Sequence, residues 1–152
     1  MDGKMNKTAQ MQAYFDRCNE LLLKENLRHL LHEAHKRVEE IEPEELAEKL
    51  DQVVLIDVRE EDEFASGLIP GERVLTIPRG KLEFTANSQI LPAIEEGAEV
   101  VCYCLKGARG LLAADTLHRL GIPAKNLKGG IENWVQKGYP ISNYLGTFKL
   151  VK

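Results

Sequence analysis

The sequence predicts an α/β fold: a mostly parallel five-stranded sheet flanked by helices, with an N-terminal helical arm. Three observations carry this. Two continuous apolar runs, "VVLIDV" (53–58) and "EVVCYC" (99–104), read as strands buried on both faces. Segments with helical apolar spacing alternate with such strands, the order that implies parallel pairing. The region from Met11 to Lys36 carries neither Pro nor Gly and repeats its apolar residues at helical spacing.

In that arm, Met11, Tyr14, Phe15, Cys18, Leu21 and Leu22 make one stripe, and Leu27, Leu30, Leu31, Ala34 and Val38 a second, rotated one. Either a break near Glu25 and Asn26 gives two helices, or one long helix packs differently at its two ends. An arm this apolar needs a cover, and a second subunit through a homodimer is the favoured one. "RVEEI" (37–41) is the first candidate strand, and "EPEELAEKL" opens a helix with Pro43 in its first turn. After 53–58 comes a short acidic helix, "EEDEFASG", stopped by Gly67, and then a strand, "RVLTIP" (73–78). "NSQILPAIEEG" reads as a helix capped by Asn87 or Ser88. The strand at 99–104 is followed by the amphipathic "ARGLLAADTLHRLG", ended by Gly121. "AKNLKG" is the last strand and "IENWVQKG" the last helix. The expected organisation is an arm over 1–36, a catalytic domain over 37–142 and a tail over 143–152.

Composition narrows the function. The chain has 152 residues, a net charge of −4 and no basic cluster, so neither nucleic acid nor an anionic membrane surface is an expected partner. Acidic residues crowd between Glu39 and Glu63 and read as solvated helix faces. No segment reaches the ~20 apolar residues of a membrane span. Three cysteines argue against a disulfide framework and for a reducing compartment, so the chain reads as cytoplasmic; a mature form that had lost its signal would read the same.

The chemistry concentrates at Cys104. In open parallel sheets ligands bind outside the carboxyl ends of the strands, and Cys104 stands at one such end. A thiol acts as its thiolate, favoured near helix N-termini and beside cations. Gly107 and Gly110 let the following loop curl so that backbone N–H groups turn inward, the next helix opens near Arg109, and Lys106 and Arg109 supply charge. The result is a nucleophilic sulfur in a cradle shaped for an anion or for one further sulfur atom. No histidine is near in sequence to make a Cys–His pair.

These residues resemble a family. "YCLKGARG" is similar to the active-site loop of the rhodanese sulfurtransferases. "LIDVREEDEFASGLIPG" resembles that family's Asp-x-Arg segment and Gly-x-Ile-Pro-Gly turn, and "LKGGIENWVQKGYPI" its closing Gly-Gly, Trp, Gly-x-Pro pattern. The three motifs fall in order over residues 38–142 and leave out the arm. "PRGKLEF" further resembles single-domain members acting on thiosulfate or polysulfide. The resemblance implies that Cys104 takes a sulfane sulfur as a persulfide and passes it to a thiol or cyanide. It implies that the amides of Leu105, Lys106, Gly107, Ala108 and Arg109 cradle that persulfide, and that Lys106 and Arg109 hold a small anionic sulfur donor. Asp57 and Arg59 match a flanking pair read as structural supports. Arg79 and Lys81 are read either as pocket-rim cations, with Arg79 on the substrate, or as a solvated pair. Leu68, Glu72 and Gly110 depart from the family's usual residues. Only four residues separate Cys104 from Arg109, against five in the fold-sharing phosphatases, so the ring suits a sulfur atom better than a phosphate.

Plainer readings stand beside these. Cys102 is expected as core, and Cys18 as core or interface. His29, His32 and His35 diverge around a helix and read as a solvated face, so no metal is expected. Trp134 is a core candidate whose N–H needs a partner. No cofactor is implied. Three functions follow: a sulfurtransferase acting on thiosulfate or polysulfide, a persulfide carrier serving a protein partner, or a regulatory platform using the arm, against which the intact loop weighs.

Overall fold

A computed structural model describes the backbone of residues 2–150 and the side chains of residues 8–13 and 24–150. Tyr14, Phe15, Cys18, Leu21 and Leu22, from the first predicted stripe, lie outside the described side chains. The chain divides into two compact units, Met1–Glu33 and Ala34–Lys152.

The N-terminal region forms one helix, α1 (Asp2–Arg37), with no break at Glu25 and Asn26. On it Met11, Leu27 and Leu30 are about half-exposed, and His29, His32 and His35 are exposed. The helix runs four residues past Glu33 and takes the start of the predicted first strand. Arg37 ends it by gripping Asp115, with Nε and Nη2 at 2.6 and 2.9 Å from the two carboxylate oxygens. Strand β1 is therefore only Glu40–Ile41 instead of 37–41.

The rest alternates as expected: α2 (Pro43–Glu48), β2 (Val53–Asp57), α3 (Glu61–Phe64) and β3 (Arg73–Thr76). Pro43 opens α2 where its missing N–H costs nothing. A 3₁₀ turn (Arg79–Lys81) leads into α4 (Leu82–Thr85), a π turn (Ala86–Ile90) and α5 (Leu91–Glu95). Helix thus begins well before Asn87 and Ser88, which lie inside the π turn and cap nothing. Pro92 supplies the reason: its ring would clash with the carbonyl four residues back, and the wider turn, closed by Leu91 N–H to Ala86 O, relieves it. Strand β4 (Glu99–Tyr103), α6 (Ala108–Arg119), β5 (Ala124–Leu127) and α7 (Gly130–Gln136) follow. The predicted tail instead forms a hairpin, β6 (Ile141–Asn143) and β7 (Gly146–Phe148).

The five strands β1 to β5 form a wholly parallel sheet in the order β1-β5-β4-β2-β3, which puts β4 at its centre. One face carries Leu55, Val101, Tyr103 and Leu127 against Leu46, Ile131 and Trp134, all buried. Full burial of each such aliphatic side chain is worth about 1.5–3 kcal/mol. Trp134 is fully buried and donates its indole N–H to the Pro140 carbonyl at 2.7 Å. On the other face α6 packs Leu111, Ala114 and Leu117 toward β4 and β5, where Cys102 and Asn126 stand side by side in register. That face lets α6 approach closely through Gly110: a Cβ there would lie 3.3 Å from Cys104 N and overlap Asn126 Oδ1.

Candidate active site

Strand β4 delivers Cys104 to the carboxyl edge of the sheet, one residue beyond Tyr103, whose register partner is Asp57 at the end of β2. Cys104 is buried, with 1% of its surface exposed. The loop then turns on Gly107, whose φ of 120° is closed to residues with a side chain. That turn aims the Gly107 N–H back at Cys104 Sγ, 3.0 Å away. Gly107 is also the residue at which α6 starts, and its carbonyl accepts the first helical bond, from Leu111 N–H at 2.9 Å. The sulfur therefore sits at the positive end of a twelve-residue helix.

The carbonyl side of the loop is tied to a second helix. Ile131 N–H donates to Cys104 O at 2.9 Å, and Glu132 N–H to Leu105 O at 3.0 Å. These are first-turn amides of α7, which have no partner inside their own helix. Gly130, at φ 65°, makes this possible, since any Cβ would collide with both carbonyls. Ala108 and Lys106 are exposed and Leu105 is partly so, so the loop turns these side chains outward.

The charges fall into three places. Arg109 makes a two-pronged pair with Glu63, at 2.6 and 3.0 Å. That guanidinium is the main cause holding the Glu63 carboxyl down at about 2. Glu63 is fixed from the other side too, as its side chain closes a capping box with Glu60 at the start of α3. Arg79 lies elsewhere, donating to Glu83 and to Thr116 Oγ1, both at 2.8 Å. Asp57 and Arg59 form a sealed pair: Nη2 reaches Asp57 Oδ2 at 2.8 Å and the Gly67 carbonyl at 2.7 Å. Arg59 also lies over the Tyr103 ring, 6.0 Å from its centroid, and the Tyr103 hydroxyl accepts the Ile69 N–H at 3.2 Å. The pair thus ties the end of β2 to the Gly67 turn. Cys102 lies deep on the strand, and burial pushes its thiol up to about 12.

The geometry thus places Cys104, Leu105, Lys106, Gly107, Ala108 and Arg109 along one loop and the start of α6, pairs Asp57 with Arg59 at the end of the neighbouring strand, and engages Arg79 with α6. Sequence reasoning missed two residues. Glu63 belongs to the acidic run read as a solvated face, yet it holds Arg109. Other members of that run are paired as well, Glu42 with Lys128 and Glu44 with Lys137. Asn126, fully buried in β5, donates from Nδ2 to the Gly107 carbonyl at 3.1 Å. A polar residue in an otherwise apolar strand was the available signal.

With this geometry in place, the likenesses are specific. Residues 42–137 match the rhodanese-like domain family. The chain is 34% identical over 108 residues to a sulfurtransferase of Allochromatium vinosum, a match covering 68% of this chain and 94% of that one. It is 37% identical over 93 residues to the human thiosulfate:glutathione sulfurtransferase, covering 55% and 79%. Among solved structures it is similar to the homodimeric polysulfide-sulfur transferase of Wolinella succinogenes, with a TM-score of 0.59 and 26% identity, covering 78% and 88%. The chain belongs to the rhodanese-like family, and the Allochromatium and human relatives are named as sulfurtransferases.

Proposed function

We propose that the chain moves a sulfane sulfur through a persulfide on Cys104. The observation that carries this is the Gly107 N–H directed at Cys104 Sγ, 3.0 Å away at the start of α6, which gives the sulfur a backbone donor and the positive end of a helix. With thiosulfate as donor, the Cys104 thiolate attacks the outer sulfur, a Cys104 S–S bond forms, the donor S–S bond breaks, and sulfite leaves with the electron pair. Cyanide or a thiolate then attacks the outer sulfur of the persulfide and restores the Cys104 thiolate. Polysulfide donates in the same way, losing a shorter polysulfide. The names of the human and Wolinella relatives support these two donors.

Lys106 and Arg109 are the cations for an anionic donor, and Arg109 becomes available as the donor displaces Glu63. Arg79, engaged with Glu83 and Thr116, takes a donor only by leaving them. Asp57 and Arg59 support the loop from below. The near-complete burial of Cys104 favours small donors. The half-exposed Met11, Leu27 and Leu30 of α1, with a homodimer among the neighbours, support pairing of two copies through the arm; light scattering of the full chain tests this.

Intact-protein mass spectrometry after brief exposure to thiosulfate or polysulfide tests the chemistry. The expected result is a gain of about 32 Da on Cys104, removed by cyanide and absent in Cys104→Ser. Unchanged turnover in Cys104→Ser would sink the mechanism. A stable adduct that cyanide or thiols fail to remove, and that a protein acceptor does, would favour the carrier reading.

A further inference from the structure

We infer that Asn126 is a positioning residue for the reacting sulfur: its amide fixes Gly107, and through Gly107 it holds the backbone N–H that faces Cys104 Sγ. Nδ2 faces two acceptors, the Gly107 carbonyl at 3.1 Å and Glu40 Oε2 at 3.3 Å, so only one orientation of the amide satisfies both. Oδ1 then has no hydrogen-bond partner among the described residues and is fully buried. It points at the Cα of Gly110, where the glycine hydrogen gives it a weak C–H···O contact and any side chain would overlap it. A buried amide with an unpaired oxygen is costly to keep, and a packing role alone is better met by an apolar side chain.

The amide is useful because of where the carbonyl it holds lies. Gly107 has a conformation reserved for glycine, φ 120°, and its N–H is the loop donor that reaches Cys104 Sγ. The Gly107 carbonyl is shared between Asn126 and Leu111 N–H, so the glycine is gripped on its carbonyl side while its amide points at the sulfur. Without Asn126 the glycine keeps its helical bond but loses the lateral one, and its N–H is free to swing off the sulfur. In register, Asn126 stands beside Cys102, two residues before Cys104 on the same face of the sheet, so strand and loop act on one line.

The test is the backbone amide resonance of Gly107 in the full chain: the shift difference between each chain and the same chain carrying Cys104→Ser reports the contact between the Gly107 N–H and the sulfur. In Asn126→Leu, similar in size and unable to donate, that difference is expected to fall by about half or more. Glu40→Gln, which leaves the Gly107 bond in place, is expected to leave it unmoved. An unmoved difference in folded Asn126→Leu overturns the inference, as does an equal fall in Glu40→Gln. If Asn126→Leu fails to fold, Asn126→Asp combined with Glu40→Gln keeps the contact between those two positions with its polarity reversed and still lacks the donor to Gly107. An unmoved difference there overturns the inference equally. A kinetic companion rests on the proposed role of Cys104: in Asn126→Leu, kcat falls while the donor KM holds. If the unaltered chain takes up no sulfur at all, that proposed role fails, while the amide resonance still decides the part played by Asn126.

Discussion

Two arginine–carboxylate pairs stand near Cys104, and they differ in one respect that matters. Asp57 and Arg59 are two residues apart in sequence and sealed, with side chains 0% and 2% exposed. Glu63 and Arg109 come from distant segments and lie partly open, at 24% and 39%. The same chemical pairing is sealed in one place and open to solvent in the other. Burial decides which of them an anion from solvent could enter: under the proposed donor binding, Arg109 would exchange its carboxylate and Arg59 would not.

The sharpest way to break the comparison is to remove one partner of the sealed pair. Asp57→Ala strands a buried guanidinium and is expected to cost about 3–5 kcal/mol, read by denaturant unfolding. A cost near that of a surface pair would show that water reaches Arg59. Next comes the open pair. Arg109→Ala is expected to raise the donor KM roughly tenfold with a smaller change in kcat, measured in steady state, because it removes charge binding and no bond-making group.

Glu63→Gln sharpens the contrast in the opposite direction. It frees Arg109, so donor KM should fall by about two- to threefold. Its effect on stability depends on pH with a definite sign. The Glu63 carboxyl drops from 4.5 to about 2 on folding, so the pair stabilises fully above the unfolded value and is lost as pH falls through about 2. The stability gap between Glu63→Gln and the unaltered chain should therefore be largest at neutral pH, shrink below about 4.5 and close near 2. The smallest expected effect is Lys106→Ala. An exposed lysine binds an anion through a screened field, so KM should rise about twofold at low salt and hardly at all at high salt.

How much of this was legible in the chain depends on range. Val53–Asp57 and Glu99–Tyr103 declared themselves because a strand buried on both faces needs an unbroken apolar run. The Cys104 loop was legible because its glycines, cations and helix start are contiguous. The end of α1 was not, because the hold of Arg37 on Asp115 spans 78 residues and overrides the local strand pattern. Glu63 and Arg109 are separated by 46 residues, so the acidic run around Glu63 looked like solvent-facing charge. Asn126 was hidden by the strand it occupies, since periodicity registers burial and is blind to what a buried amide holds. Gly110, read from the chain as a departure from the family's usual residue, is a clearance: nothing larger fits between Tyr103, Cys104 and Asn126. The terminal hairpin went unread because its two three-residue strands are too short to show a period.

The carbonyls of Cys104 and Leu105 are bonded to the opening amides of α7. Since that anchorage belongs to the backbone, no rotamer change of the cysteine can loosen it. The sulfur therefore moves about its own side-chain bond alone and is carried nowhere by the loop. Under the proposed transfer, cargo taken up at this point would be handed over at the same point, and donor and acceptor would take turns there.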